Sequence, residues 1–488
     1  MSRQAGLAPF LGVLLLIAAQ SWAAGEDSKP EPPALETRSR QLPWATVTQV
    51  VLPGRALDVA PWPGEGNPGE TGGLAVLLRD ETAAEGPRLL YRLRGSDSDL
   101  APVFTGLPTK ASHLHERAGE LWVGEPGKIH RYRMDRRLEL VLAAEGLNLG
   151  TLVQRGLVDD ERLIVPEVGR LRQYVGAELA LASDIALPIQ ARRRARRLEL
   201  WSPGVRRMPG EELLLVTSPE ATDTYRMRVL MIPGEAPPAD EAEEDAPPWQ
   251  ESWSRFDGPE TLNQRRFTRL DGHPALIVTT TRADKLGIFE KLKVRVFILR
   301  PDRTRAGRRP VASFETATRN WYDLEPRVTD FNGDGKDDLL LIQPEGLGAG
   351  ELKIELYAGR GSGRFDTRSR ATKLDGEAAS WDMSADFTGD GTPDLLLVAE
   401  QQLSIHPALP NHRRQVVSKK PLHQLALAEW DEGSVEITIN LGTEGSDSET
   451  LGLATRPRLL QLDEDAAPEI VLISSAAGRA VIRIVDLL

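Results

Sequence analysis

The sequence of 488 residues contains no cysteine. That absence excludes disulfides, thiolate metal sites, thiol nucleophiles and iron–sulfur ligation together. Aromatic residues are scarce, at 5%. Beyond the first two dozen residues, no uninterrupted apolar run reaches the roughly 18 residues a transmembrane helix needs. A basic excess is missing too. The formal charge is −12, which argues against a general nucleic-acid binder, since such a protein presents a basic surface to phosphates. What the chain has in quantity is 43 Gly and 35 Pro, a turn-dense composition that speaks against a mostly helical protein. Apolar residues make up 40%, enough for a buried core. The length allows several domains or one large unit built from repeats.

Residues 1–24 read as a secretory signal peptide. Arg3 supplies the positive start, Leu7 to Ala19 is apolar, and Ser21-Trp22-Ala23 offers small residues at a cleavage site. The protein is therefore expected to be exported, to the periplasm or beyond the cell, without a transmembrane anchor. Residues 25–43 are rich in Pro, Glu, Ser and Arg and read as a flexible spacer.

From there a pair of patterns recurs. A short continuous apolar run is followed by a turn and then an alternating segment. The runs begin at Leu74, Leu121, Leu163, Leu213, Leu276, Leu339, Leu395 and Ile470, at intervals of 42 to 75 residues. Continuous short runs suit strands buried on both faces. Segments such as Lys293-Val294-Arg295-Val296 and Ala480 to Val485 have the period of two expected of strands with one face toward water. One buried and one half-buried strand per repeat is what a propeller blade requires. The expected fold is all-β: a β-propeller of eight four-stranded blades, with seven as the alternative, over residues 44–488. Thr46 to Leu52 has no partner in its own repeat, and the last repeat ends at Val485, so the N-terminal strand is expected to complete the last blade and close the ring. Residues 234–248 (GEAPPADEAEEDAPP) read as an acidic disordered insert. The basic run Arg192 to Arg197 reads as a solvated face.

The strongest chemical signal lies before two of the apolar runs. Asp330-Phe331-Asn332-Gly333-Asp334-Gly335-Lys336-Asp337-Asp338 precedes Leu339, and Asp386-Phe387-Thr388-Gly389-Asp390-Gly391-Thr392-Pro393-Asp394 precedes Leu395. Both place oxygen side chains at positions 1, 3, 5 and 9, with glycine at position 6. A hard cation such as Ca²⁺ takes six to eight oxygens, and a fifth-position ligand followed by a sharp turn favours glycine next. The backbone carbonyls of Lys336 and Thr392 are the expected seventh-position ligands, and Asp338 and Asp394 are expected to close the cage. EF-hands are ruled out, because position 12 is Leu341 or Leu397 rather than glutamate. A third copy, residues 461–469, has Gln461, Ala466 and Glu469 at the first, sixth and ninth positions. Asp271-Gly272-His273-Pro274 looks like a shortened relic with too few ligands.

These loops, together with the Gly359 to Phe365 turn, resemble the FG-GAP/VCBS repeats of integrin-like β-propellers, specifically over residues 325–400. The resemblance implies Ca²⁺ bound by Asp330, Asn332, Asp334, Lys336 and Asp338, and again by Asp386, Thr388, Asp390, Thr392 and Asp394. Its expected purpose is structural, pinning the turn that enters each buried strand.

No catalytic motif emerges. His115-Glu116 begins an H-E-x-x-H match, but position 119 is Gly. No P-loop, Rossmann fingerprint or G-x-S-x-G is present, so an enzyme is the lesser expectation. The function expected is an exported, calcium-stabilised propeller that binds or scaffolds an unidentified protein or glycan. The alternatives are a lectin-like carbohydrate-binding propeller and a polysaccharide lyase or hydrolase with its site at the channel mouth.

Overall fold

A computed structural model describes residues 36–63, 71–79, 88–93, 102–133, 138–150, 157–158, 162–167, 170–176, 178–186, 198–201, 212–220, 224–232, 250–257, 260–282, 292–299, 311–318, 324–345, 350–376, 378–399, 402–427, 457–460, 462, 468–476 and 479–487. The signal peptide, the basic run at 192–197 and the acidic insert at 234–248 lie outside the described residues. So do most of the residues of the third loop copy.

The architecture is all-β. Among the described residues, antiparallel strands form seven four-stranded sheets, one five-stranded sheet and a two-stranded ribbon. Along the chain, sheet 1 spans residues 55–107, sheet 2 113–145, sheet 3 157–186, sheet 4 198–257, sheet 5 260–318, sheet 6 325–375 and sheet 7 378–426. Each of these is a meander in which strands consecutive in sequence are neighbours in space. Sheet 8 joins the two ends of the chain. It takes Glu36–Gln41 and Ala45–Pro53 from the N-terminus, and Arg458–Leu460, Glu469–Ala476 and Arg479–Leu487 from the C-terminus.

Seven of the eight apolar runs are the second strands of their sheets, and the eighth, from Ile470, lies in Glu469–Ala476, next to the Arg458–Leu460 edge of sheet 8. Asp338–Glu345 is buried along its whole length, because hydrophobic clusters cover both of its faces. Leu340 and Ile342 pack toward sheet 7, with Leu395, Leu397 and Val417. Leu339 and Leu341 pack toward sheet 5, with Ile277, Val294 and Val296. Burial on both sides is why this strand tolerates no alternation. The third strand of sheet 5 keeps the expected period: Val294, Val296 and Ile298 are buried, while Arg295 and Phe297 are partly exposed.

The ends depart from expectation in two places. Within the expected spacer, Glu36–Gln41 forms a strand paired residue for residue with Thr46–Val51. Its side chains are all polar and Arg38 to Gln41 are exposed, which suits an outer strand. Residues 480–485 do not alternate in burial: Ala480, Val481, Ile482, Arg483 and Val485 are all buried. The cause is the position of sheet 8 between two others. Val50, Leu52, Ala480 and Ile482 pack against Leu74, Val76 and Tyr91 of sheet 1. Ala45, Val47, Ile470 and Val485 pack against Leu396, Val398 and Ile405 of sheet 7. Buried Arg483 is hydrogen-bonded across the chain ends, its Nε donating to Gln49 Oε1 at 2.8 Å.

Candidate metal centre

Both carboxylate loops connect the first strand of a sheet to its second, Glu325–Thr329 to Asp338–Glu345 in sheet 6 and Ala378–Asp382 to Leu395–Ala399 in sheet 7. Each begins with an Asp–Phe pair. Phe331 is fully buried in the cluster between sheets 6 and 7, and partly buried Phe387 packs against the cluster between sheets 7 and 8. The apolar plug at position 2 anchors the loop, and the polar positions after it are turned outward.

The first-position carboxylates organise the loops. Asp330 accepts hydrogen bonds from the N–H groups of Asp334 at 3.1 Å and Gly335 at 2.9 Å. Asn332 Oδ1 also accepts from Asp334 N–H, at 2.9 Å. Asp386 accepts from the N–H groups of Thr388 (3.1 Å), Gly389 (2.7 Å), Asp390 (3.3 Å) and Gly391 (2.6 Å). Side chains at the fifth position fold the next turn, since Asp334 accepts from Lys336 N–H and Asp390 from Thr392 N–H. Such local side-chain-to-backbone bonds are what short acidic side chains offer in turns. The backbone coils so tightly that Gly335 and Gly391 sit at φ +81° and +87°, the left-handed region in which a side chain is strained.

Positions 1, 3, 5 and 7 form an outer rim: Asp334, Lys336, Thr388 and Asp390 are exposed, Asp330, Asn332 and Asp386 partly buried, and Thr392 buried. The ninth position is different. Asp338 and Asp394 are fully buried beneath their loops. Asp338 accepts from Phe331 N–H at 3.2 Å and from Gly359 N–H at 2.6 Å. Asp394 accepts from Phe387 N–H at 2.9 Å and Ala408 N–H at 2.7 Å. Each thus latches its loop to the connection between the third and fourth strands of the same sheet. Glu469 of the third copy does the same to its own loop, accepting from Leu462 N–H at 2.6 Å. The expected cage is therefore split in this structure between an outer rim and a buried latch. Among the described residues, no three acidic or histidine side chains gather into a ready-made cluster for a metal ion. The donor chemistry nonetheless fits a hard cation, being oxygen throughout.

Proton affinities follow the split. Burial pushes the Asp338 and Asp394 carboxyls up, and the backbone donors at each only partly offset it. At Asp386 partial burial opposes ionisation, but the N–H donors of Gly391, Gly389 and Thr388 outweigh it and hold its carboxyl below the usual range.

The latch explains Gly359. A Cβ added there would lie 2.1 Å from the Asp337 carbonyl oxygen, so only glycine lets this connection approach the loop. Gly359→Ala is expected to destabilise the protein by about 1–3 kcal/mol through overpacking, read as a lower urea midpoint at unchanged m. An unchanged midpoint would show that the connection has room to move.

Two residues that the sequence motif leaves unassigned complete the arrangement. Asp337, beside the latch, accepts from the N–H of Asp271 in the turn between the first two strands of sheet 5. Asp271 in turn accepts from Gly363 N–H at 2.7 Å. Asp271 and Gly272 have φ of +50° and +76°, a two-residue hairpin turn. What looks in sequence like a relic loop is a clasp between sheets 5 and 6. Burial, then the charges of Asp271 and Asp330, push the Asp337 carboxyl up, against the hydrogen bond from Asp271.

The other candidates fall into packing roles. Among tryptophans with described side chains, Trp62 and Trp122 are fully buried. Partly buried Trp381 donates to Glu325 at 2.9 Å, and Trp44, also partly buried, stacks on His423 at 4.7 Å between ring centroids. None of the four is exposed as a sugar platform. His113 bonds to Ser112 and His130 to Glu125, while His406 is buried between Ser404 and the Ser418 carbonyl.

Comparison with known proteins places the two loops together. No curated protein sequence matches the chain. Solved structures with a similar arrangement include the WD40 domain of SCAP from fission yeast, with a TM-score of 0.45, 9% identity, and coverage of 93% of this chain and 98% of that one. Hsv2 from Kluyveromyces lactis has a TM-score of 0.37 at 10% identity, covering 77% of this chain and 99% of its own. The AfRom2 CNH domain has 0.34 at 11%, with 90% and 99% covered. The profile of the FG-GAP-like repeat matches residues 330–397, from the first aspartate of one loop into the strand that follows the other. This chain carries an FG-GAP-like repeat, and both carboxylate loops belong to it.

Proposed function

We propose that the chain is a closed β-propeller of eight blades that works outside the cytoplasm as a calcium-stabilised binding or scaffolding module. Support for the ring comes from sheet 8, which is assembled from both chain ends and packs on sheets 1 and 7. Sheets 1 and 2, 2 and 3, 5 and 6, and 6 and 7 share hydrophobic clusters in the same way. Support for export is the leader of residues 1–24.

The observation that carries the binding role is the stiffness of one end of sheets 6 and 7. In a four-stranded meander, the first and third connections emerge at the same end. There the two carboxylate loops, the Gly359–Gly361 and Arg364–Phe365 ribbon, and the connection 407–422 are joined by the Asp338 and Asp394 latches. Rigid loops on a sheet scaffold are where proteins of many functions place their binding residues. A cation held by Asp330, Asn332, Asp334 and the Lys336 carbonyl, with Asp338 beneath them, would stiffen this end further. Asp386, Thr388, Asp390, the Thr392 carbonyl and Asp394 are the corresponding set. When bound, the ion would neutralise carboxylates that otherwise repel one another.

Chelation is expected to lower the melting temperature, with recovery on adding Ca²⁺ but not Mg²⁺. Asp334→Ala and Asp390→Ala should each remove part of the recovery. A melting temperature indifferent to chelator would sink the calcium reading. For the binding role, crosslinking and co-purification from the envelope fraction should return a partner, and failure to do so would move attention to glycans.

A further inference from the structure

The connection 407–422, between the third and fourth strands of sheet 7, is a braced hairpin with a basic head. Ala408 pairs with Val417, Leu409 N–H donates to Val416 O at 2.7 Å, and Ser418 N–H donates to Pro407 O at 2.8 Å. Val416 and Val417 are fully buried among the side chains between sheets 6 and 7. From the fourth strand of sheet 6, Thr372 Oγ1 accepts from Val416 N–H at 2.8 Å. Arg370 donates to the carbonyls of Leu409, Pro410 and His412. His412 Nδ1 accepts from the N–H groups of Arg414 and Gln415, at 3.2 and 2.8 Å. The foot is therefore apolar and the backbone of the head is fixed.

The head and the far leg carry Arg413, Arg414, Lys419 and Lys420, all exposed. None of the four makes an ion pair with a described residue. Residues 401–428 contain no aspartate or glutamate at all, in a chain of net charge −12. Leu422, next to this cluster, is 49% exposed. Cations on an acidic protein, without an ion-pair partner among the described residues and beside an exposed leucine, offer a charge-complementary surface. Asp386, on the neighbouring loop at the same end, has its carboxylate turned onto its own loop's N–H groups.

We propose that this hairpin docks an acidic peptide segment of a partner protein, with Leu422 meeting an apolar residue within that segment. The reading rests on the binding role proposed above and names its partner chemistry. A short acidic segment is favoured over a long polyanion or an anionic surface because of the overall charge. Beyond a Debye length of about 8–10 Å the local cations are screened, and an extended polyanion would lie along a protein of its own sign.

The test is a fluorescence-anisotropy titration of the full chain with a labelled Glu/Asp-rich peptide holding one central leucine. A sulfated polysaccharide and vesicles containing phosphatidylserine serve as competing probes. Each exposed charge pair contributes about 1.5- to 5-fold, so the R413Q/R414Q/K419Q/K420Q variant, which removes four, should bind the peptide at least about fivefold more weakly, at unchanged melting temperature. Leu422→Ser should weaken it less and with no change in salt dependence. No binding by the wild type, equal binding by the glutamine variant, or tighter hairpin-dependent binding of the polysaccharide or vesicles would each overturn the proposal. Envelope crosslinking with both proteins separates the two readings. A partner captured equally by wild type and variant keeps the binding role and removes the hairpin from it. Capture of no partner by either counts against the binding role, while the peptide titration still decides the hairpin.

Discussion

Asp338→Ala is expected to lower the unfolding free energy by about 3–5 kcal/mol, far more than removal of any carboxylate on the exposed rim of the same loop. Its two oxygens serve two buried donors, Phe331 N–H and Gly359 N–H. An unsatisfied buried donor costs about 1–3 kcal/mol, and alanine strands both. One effect works the other way: burial raises the Asp338 carboxyl, so the charged form is not held free of cost, and alanine relieves that. Asp394→Ala should behave alike, because Asp394 bonds Phe387 and Ala408 in the same manner. Asp334 and Asp390 lie on exposed turns, and their alanine variants should cost only about 0.5–1.5 kcal/mol when no cation is present. Asp338→Asn separates space from hydrogen bonding. It keeps the volume but offers a single acceptor, so it should recover less than half of the loss. Urea denaturation with chelator present measures all of these. Equal losses for Asp334→Ala and Asp338→Ala would remove the distinction between rim and latch.

Deleting residues up to Pro53 should abolish cooperative folding, whereas a chain beginning at Glu36 should melt as the full chain does. Val47, Val50 and Leu52 are each at most 2% exposed, and burying such a side chain contributes about 1.5–3 kcal/mol. Together they account for roughly 5–9 kcal/mol, comparable to the about 5–15 kcal/mol of a whole domain. The deletion also leaves Arg479–Leu487 with an unpaired edge from Arg479 to Leu487 and strands Arg483 without Gln49. A peptide of residues 36–53 added in trans should restore a melting transition, since the strand needs no covalent link to pair. A deleted chain that unfolds cooperatively at the original temperature would show that sheet 8 does not need its N-terminal strands.

Much of the candidate site is legible in sequence because its rim is local. Asp330, Asn332, Asp334 and the glycines between them meet within one loop, so spacing alone reports the turn they make. The latch is only half legible. Asp338 stands at a readable position, yet its second partner, Gly359, lies beyond a whole hairpin of chain. The Gly359 to Phe365 turn is part of the resemblance, but only the 2.1 Å approach of Asp337 O gives the physical reason that residue 359 is glycine. The clasp between Asp271 and Asp337 is not legible at all, because it joins two turns 66 residues apart.

By itself, then, the sequence determined the all-β class, the eight apolar-run strands, and the two loops with their oxygen donors. These depend on short-range periodicity and turn chemistry, which neighbours in the chain decide. Only the tertiary structure decided that residues 480–485 lose their water-facing side, that the ninth-position carboxylates go under the loops, and that four cations of the 407–422 hairpin find no ion-pair partner among the described residues. Each of those outcomes depends on what a distant segment places against the residue. Without cysteine, the chain ends are fastened by means other than a disulfide. In this structure the fastening includes the Gln49–Arg483 contact and the paired chain ends, whose partners are 434 residues apart, a separation over which no local pattern carries information.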